Sequence, residues 1–564
     1  MRYVNGTRAG KQGGGSGERA GRPRPAPWLP VVLATVALAA AACAPAASPG
    51  ATATGPAATP TPTGAAGGND ASVLVIASGA DAVTLDPGVS FDGQSPLLWR
   101  AVYEPLVRYK GGTTEVEPNL AESWQVSPDG LTYTFKIHAG ITFSDGEPLD
   151  AAAVKFAIER QTALGQGIAY ALAPITDIAT PDPMTLVLTL SAPSDSMLSA
   201  FAGMYTVPII SPKAIRDHEA GGDWAQAWLR ENMVGTGPYL LESYTQSEQA
   251  VFTRNPNYWR GWDGPHYERV VVRYVHEPTT ERLMLEGGEV DIAIFLPDDV
   301  VEGLDGKPGI TVTNVPSFNQ YYIGLPNQKG PTADKRVRQA ISYGLDYRTW
   351  TDEILGGKAT QARGPLPSTF VGFAPETPQY TYDPTKAKAL LAEAGYADGG
   401  FTLKYVFESG YWWKRPLGEL FQSNMKDLGI AVEIQELSPS AWAGLLSNPE
   451  TAEHAYGVVW WPSFATPYDF LFSLFATGAQ GTAGYNWGYY SNPEFDALID
   501  QASATVDATG RNRLWAEAQR IVVEDAASVF VYEKNYRLPM RDHVQNFVFN
   551  GIYIETFSFY DLHE

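Results

Sequence analysis

The side chains best suited to hold a small molecule gather in three stretches of the second half of the chain. These are Tyr411, Trp412 and Trp413 ahead of Lys414-Arg415, then Trp460-Trp461, then the glycine-bearing "GYNWGYYSNPEF" with Tyr485, Trp487, Tyr489 and Tyr490. Flat rings with a polar tip suit sugar rings, peptide side chains and other amphipathic solutes, although the same rings also fill cores. Patterns that would do chemistry on a ligand are missing: there is no H-E-x-x-H, no G-x-x-x-x-G-K-[ST] and, beyond residue 42, no G-x-S-x-G. His138, His218, His266, His276, His454, His543 and His563 are scattered, with no pair at the helical spacing a metal site uses. The expectation is binding without catalysis, with no cofactor and no metal.

Cys43 is the only cysteine in 564 residues. Ahead of it lie Arg2, Arg8, Lys11, Arg19, Arg22 and Arg24, then an apolar run from about Trp28 to Ala42, the charge order of an export signal. That run is shorter than the roughly 20 residues needed to span a bilayer. Ala40, Ala41 and Ala42 directly before Cys43 resemble a lipobox, in which the cysteine sulfur carries lipid; Ala40 stands where leucine is usual. The alternative is ordinary cleavage after Ala40 or Ala42, which leaves an exported chain with an odd free thiol. Residues 43–70 are mostly Ala, Thr, Pro and Gly with no apolar period, too poor in burial to repay ordering, and read as a tether. The expected organisation begins with a signal peptide at 1–42 and a lipid-anchored tether at 43–70. The body would then sit at the outer face of the cytoplasmic membrane, periplasmic or cell-surface.

Without residues 1–42 the chain carries 34 basic and 61 acidic residues, a net charge of −27. Nucleic acid is excluded as a partner on that balance. About 490 residues follow the tether, too many for one core, so two or three domains are expected. "SVLVIAS" reads as a buried strand. "SWQVSPDGLTYTFKI" reads as a hairpin, with Leu131, Tyr133, Phe135 and Ile137 on one face and Ser127-Pro128-Asp129-Gly130 as its turn. Asp150 caps a helix with Val154, Ala157, Ile158 and Gln161 inward; Asp383-Pro384 starts another, which Gly395 stops. Strands are expected at Thr185–Leu190, Tyr239–Ser243, Val270–Val275 and Ile292–Phe295, and around a helix at Arg415–Leu428. The class is mixed α/β with no internal repeat.

Read in order, "LDP" at 85–87, "YEPLV" at 103–107, "PNLAESWQVSPDGLTYTFKIHAGITFSDGEPLDAAAVKFAIER" at 118–160, "GTGPYLLESY" at 235–244, "NPNYW" at 255–259, "GGEVDIA" at 287–293, "KRVRQAISYGLDYR" at 335–348, "YDPTKAKALLAEAGY" at 382–396 and "NPEFDALID" at 492–500 resemble the extracellular solute-binding proteins of ABC importers, family 5, the dipeptide, oligopeptide and nickel group. The resemblance implies a two-lobed periplasmic-binding-protein type II fold with an extra subdomain. Lobe 1 would be 71–330, with the subdomain at about 116–235; lobe 2 would be 331–527, and 528–564 would return to lobe 1. Crossings near Asn327–Asp334 and Ser528–Tyr532 would form a hinge that closes on a ligand.

In dipeptide-type members a W-x-x-D-x-x-D-P segment sets its first aspartate against the ligand's α-amino group. Aligning Trp460 and Pro467 with that segment puts Ser463 and Thr466 at the two aspartates, so the amine anchor is missing unless Asp469 substitutes by a shift. In such members an arginine near the place of Lys414-Arg415 pairs with the ligand's carboxylate, which would make Arg415 that partner here, with a solvated basic pair at a helix start as the alternative. Trp412, Trp413, Trp460, Trp461, Tyr485 and Trp487 would form a wall. Lobe 1 would add Phe91, Gln94, Ser95 and the segment Asn319–Tyr322, with Tyr321 foremost. The implied function is a monomeric, membrane-tethered receptor that hands a small solute, peptide-like first and oligosaccharide second, to an ABC permease. A ligand receptor for a membrane sensor is the alternative of another class.

Overall fold

The computed structural model describes residues 72–564. The expected signal peptide, Cys43 and the expected tether lie outside the described residues. Val73–Ser78 is the central strand of a seven-stranded sheet, parallel to Arg269–Tyr274 on one side and to Ile292–Ile294 on the other. Antiparallel strands extend it through Gln249–Arg254 to Tyr239–Thr245, and on the other side through Pro539–Arg541 to Ile310–Val312. Leu74, Ile76, Val270, Val272 and Ile292 are fully or almost fully buried, while the alternate positions Val75 and Val271 are half-buried, so one face of these strands carries most of the core.

A four-stranded antiparallel sheet carries the expected hairpin: Ala121–Val126 pairs with Thr132–Ile137, which pairs with Thr185–Leu190, and Ile175–Asp182 closes the edge. Tyr133, Phe135 and Ile137 face inward, so the period of two sets the buried face. The helix Ala151–Leu164 packs with this sheet; its cap is the Asp150 carboxylate, which accepts from Ala153 N at 2.8 Å.

A six-stranded sheet orders Ala359–Gln361, Ser528–Tyr536, Val315–Gly324, Ala455–Trp460, Thr402–Glu408 and Ala431–Leu437. Helices Lys335–Gly344, Pro384–Glu393 and Lys414–Lys426 share its core, built on Ile341, Leu391, Tyr405, Leu417 and Phe421.

The chain changes sheet at places other than those expected. Val315–Gly324 and Ser528–Tyr536 both belong to the six-stranded sheet, hydrogen-bonded to each other along most of their length. The crossings are therefore Thr313-Asn314 and Arg537-Leu538, not Asn327–Asp334 and Ser528–Tyr532. Ladder pairing from Val315 with Tyr536 to Gly324 with Ser528 keeps both strands in one sheet despite two register shifts, so the change of sheet falls in the short gaps that adjoin them. The two crossings are bonded side by side: Thr313 N donates to Leu538 O and Leu538 N to Thr313 Oγ1, both at 2.9 Å.

Candidate functional site

An aromatic-walled cavity of about 150 Å³ lies where the six-stranded sheet meets residues of the first half. Its wall begins at the end of the strand Ala455–Trp460, which delivers Val458, Val459 and Trp460 and runs on into Trp461 and Ser463. The neighbouring strand Thr402–Glu408 ends with Glu408 in the cavity. Gly410 then turns the chain at φ +100°, a conformation that side chains resist. The helix Lys414–Lys426 starts just after, so Lys414 comes back beside Glu408. Tyr411 lies in the turn, and Trp442 comes from the helix Pro439–Ser447.

The rings form a continuous series. Tyr205 stacks on Phe91 at 4.5 Å, Phe91 on Tyr485 at 5.7 Å, Tyr485 lies 5.5 Å from Trp487, and Trp487 meets Trp442 edge-on at 4.9 Å. Phe91 and Tyr205 belong to the first half and the rest to the second, so the series bridges both. Four hydrogen bonds join the same halves: Trp461 Nε1 to Tyr205 OH at 3.2 Å, Met204 N to Ser463 O at 2.9 Å, Ala465 N to Tyr109 OH at 2.8 Å, and Tyr170 OH to Asp469 Oδ1 at 3.0 Å. The apolar core around Phe135 and Phe201 runs on into Phe464, Phe470 and Trp515. The two halves are closed on each other around the cavity.

Within this apolar box sits one ion pair. Lys414 Nζ contacts Glu408 Oε1 and lies over the rings of Tyr411, at 4.3 Å, and Trp442, at 4.9 Å. Burial pushes the Lys414 ammonium down to about 8 against the opposing pull of Glu408, and burial raises Glu408 against the pull of Lys414.

Of the residues singled out in the sequence, Trp460, Trp461, Ser463, Tyr485 and Trp487 line the cavity, as does Phe91. The others are placed elsewhere. Trp413 and Tyr321 are buried in the core of the six-stranded sheet, meeting edge-on at 5.1 Å, with Tyr321 stacked on Tyr532 at 4.2 Å. Trp412 is 41 % exposed, its ring 5.8 Å from Lys534 Nζ. Arg415 pairs with Glu436 at 2.6 Å on the outer face. The inward stripe of its helix is Lys414, Leu417, Gly418, Phe421 and Met425, so Arg415 is turned about 100° away from the cavity.

Asp469 is fully buried behind the wall. One of its oxygens accepts from Tyr170; the other accepts from Trp460 Nε1 at 3.2 Å and Ser463 N at 3.0 Å. Burial raises its pKa to about 6 despite these bonds. It positions the wall rather than facing a ligand. Ser95 also has a structural place, its Oγ accepting from Val83 N and Thr84 N.

Glu408, Trp442 and Tyr205 were not identified from sequence. For Glu408 a signal existed: a carboxylate ending a buried strand six residues before a lysine at a helix start. Tyr205 and Trp442 carried none, because nothing local distinguishes them from core aromatics. Among the described residues no three His, Cys, Asp or Glu side chains gather as metal ligands.

Several comparisons bear on this arrangement. The profile described as "Bacterial extracellular solute-binding proteins, family 5 Middle" matches residues 115–482. The probable D,D-dipeptide-binding periplasmic protein DdpA of Escherichia coli K12 is 35 % identical over 493 residues, covering 86 % of this chain and 93 % of that protein. Heme-binding protein A of Haemophilus influenzae is 28 % identical over 82 % of this chain and 86 % of its own. Among solved structures, the ABC transporter-associated periplasmic binding protein DppA of Helicobacter pylori, in complex with the peptide STSA, superposes with a TM-score of 0.77 at 27 % identity, covering 87 % of this chain and 98 % of that one. A two-lobed α/β body closed around a cavity, the matching profile and these full-length relatives agree: the chain belongs to family 5 of the bacterial extracellular solute-binding proteins.

Proposed function

We propose that this protein captures a short peptide-like solute between its two lobes and delivers it to an ABC permease, without altering it chemically. The observation that carries the reading is the aromatic-walled cavity with a single ion pair, flanked by hydrogen bonds between the two halves. A site of about 150 Å³ is smaller than the ~300–1,000 Å³ usual for larger organic ligands. A second cavity of about 450 Å³ shares Phe91, Tyr485 and Trp487 with it, so it is the charged pair rather than the volume that supports the first of the two sequence readings. The D,D-dipeptide named for the E. coli relative and the peptide bound to the H. pylori protein point the same way.

In this reading Cys43 carries lipid, residues 43–70 tether a monomeric body to the outer face of the cytoplasmic membrane, and the crossings at Thr313-Asn314 and Arg537-Leu538 are the hinge between lobes. The lobe boundaries then become about 72–312 with 539–564, and 315–536.

The test is a thermal-shift series on ligand-stripped protein with di- to hexapeptides and α- and β-linked oligosaccharides. A ligand at about 100 times its dissociation constant adds roughly 2.7 kcal/mol of stability. Dipeptides are expected to raise the melting temperature most; stabilisation by sugars alone would overturn the proposal.

A further inference from the structure

The ion pair in the cavity is only half satisfied. Glu408 is 7 % exposed, and its Oε1 meets Lys414. Its Oε2 is buried and has no hydrogen-bond partner among the described residues. Glu408 is likewise the only oxygen partner of Lys414 Nζ among the described residues, although an ammonium has three donors. The rings of Tyr411, Trp413 and Trp442 also lie within reach of Lys414 Nζ and offer it faces rather than acceptors. Trp442 Nε1, in the same wall, is a second buried polar atom without a partner among the described residues; buried polar groups left short of partners in a cavity wall are completed by what enters.

The signs of the charges limit what that is. Together Glu408 and Lys414 are neutral. A lone amine reaching Glu408 would also meet the Lys414 ammonium, and a lone carboxylate reaching Lys414 would meet Glu408. A molecule carrying both charges meets an opposite partner at each end.

We infer that Glu408 replaces the missing amine anchor at Ser463, and that the Glu408–Lys414 pair reads both ends of one short zwitterion. The ligand's ammonium donates to Glu408 Oε2 and its carboxylate accepts from Lys414 Nζ. Because the two readers touch, the ligand's two ends must lie close together. An extended chain gains about 3.3–3.6 Å per residue, so the ends of a dipeptide are within about 7 Å and those of a tetrapeptide reach about 14 Å. The class is therefore a free amino acid or a dipeptide with both termini unblocked. This rests on the peptide reading above and narrows it.

The test is isothermal calorimetry of ligand-stripped protein with alanine, L-alanyl-L-alanine, D-alanyl-D-alanine, the N-acetylated and C-amidated forms of whichever binds, tetraalanine, maltose and cellobiose. A dialanine or alanine is expected to bind, with acetylation and amidation each weakening it at least tenfold. Glu408→Gln is expected to lose the preference for the free over the acetylated amine. Since that variant can fail to fold with Lys414 unpaired, the comparison of blocked and free ligands on the unaltered protein decides by itself. Equal binding of free and acetylated dialanine overturns the inference and leaves the peptide reading standing. So does binding of tetraalanine with neither dialanine nor alanine bound. If none of the peptides or alanine binds, both fall, and binding of maltose or cellobiose then identifies the sugar alternative.

Discussion

Replacing Lys414 by Met leaves the Glu408 carboxylate buried without its cation, and replacing Glu408 by Gln leaves the Lys414 ammonium buried without its anion. Both groups are more than nine-tenths buried. Removing one partner of such a pair costs about 3–5 kcal/mol, because the survivor's desolvation is no longer offset. Each survivor can escape by changing protonation, and it does so at opposite ends of the pH scale. In Lys414→Met the folded-state pKa of Glu408, already raised by burial, rises further above its ordinary 4.5. The loss is largest at alkaline pH and fades as pH falls toward 4.5, where folded and unfolded chains both carry the proton. In Glu408→Gln the folded-state pKa of Lys414 falls below its present value of about 8, against an ordinary 10.5. That loss is largest at acid pH and fades as pH rises toward 10.5, where both states are neutral. The double variant has no buried charge and is expected to match the parent within about 1 kcal/mol or exceed it. Urea unfolding followed by tryptophan fluorescence at pH 5, 7 and 9 measures all four proteins. Equal, pH-independent losses in the single variants, or a double variant that loses their sum, would refute the argument that the two charges are buried and coupled.

Trp461→Phe keeps the ring but removes the indole donor to Tyr205 across the closed cavity; ligand affinity should fall by about 0.5–1.5 kcal/mol, roughly two- to tenfold by calorimetry, with little change in melting temperature. Phe135→Ala, in the four-stranded sheet with no exposed surface, should cost about 3–5 kcal/mol of stability while affinity per folded molecule stays the same. Asp469→Asn should flatten part of the pH profile. The folded-state pKa near 6 lies above the ordinary 3.8, so this group's contribution is full below 3.8 and is lost as pH rises through 6, about 3 kcal/mol in all. Stability measured at pH 4 and pH 7 should therefore differ less in the Asn variant than in the parent. Trp487→Ala should lose stability as well as affinity, because Trp487 is 9 % exposed and packs edge-on against Trp442; unchanged unfolding would show that it serves the ligand alone.

The elements were legible because their signals are local. Alternation at Tyr133, Phe135 and Ile137 needs only the pleat of a strand, and Asp150 and Asp383 cap helices through donors three residues away. The ordered motifs made the family readable across nearly the whole described chain. Part of the site was readable for a related reason: Trp460, Trp461 and Ser463 follow one strand end, so they arrive together.

Direction and distance were decided only in three dimensions. Trp412, Trp413, Lys414 and Arg415 are consecutive, yet one faces solvent, one fills a core, one enters the cavity and one pairs with Glu436. A step of one residue turns a side chain by about 100° on a helix, so the phase of the helix start, set by the Gly410 turn and by packing of Leu417 and Phe421, chooses among them. Asp469 is held behind the cavity wall by three donors, one of them from Tyr170, almost three hundred residues earlier. Local patterns and ordered motifs sufficed for the kind of element and the kind of protein; which carboxylate lines the cavity depended on long-range packing, which no local pattern encodes.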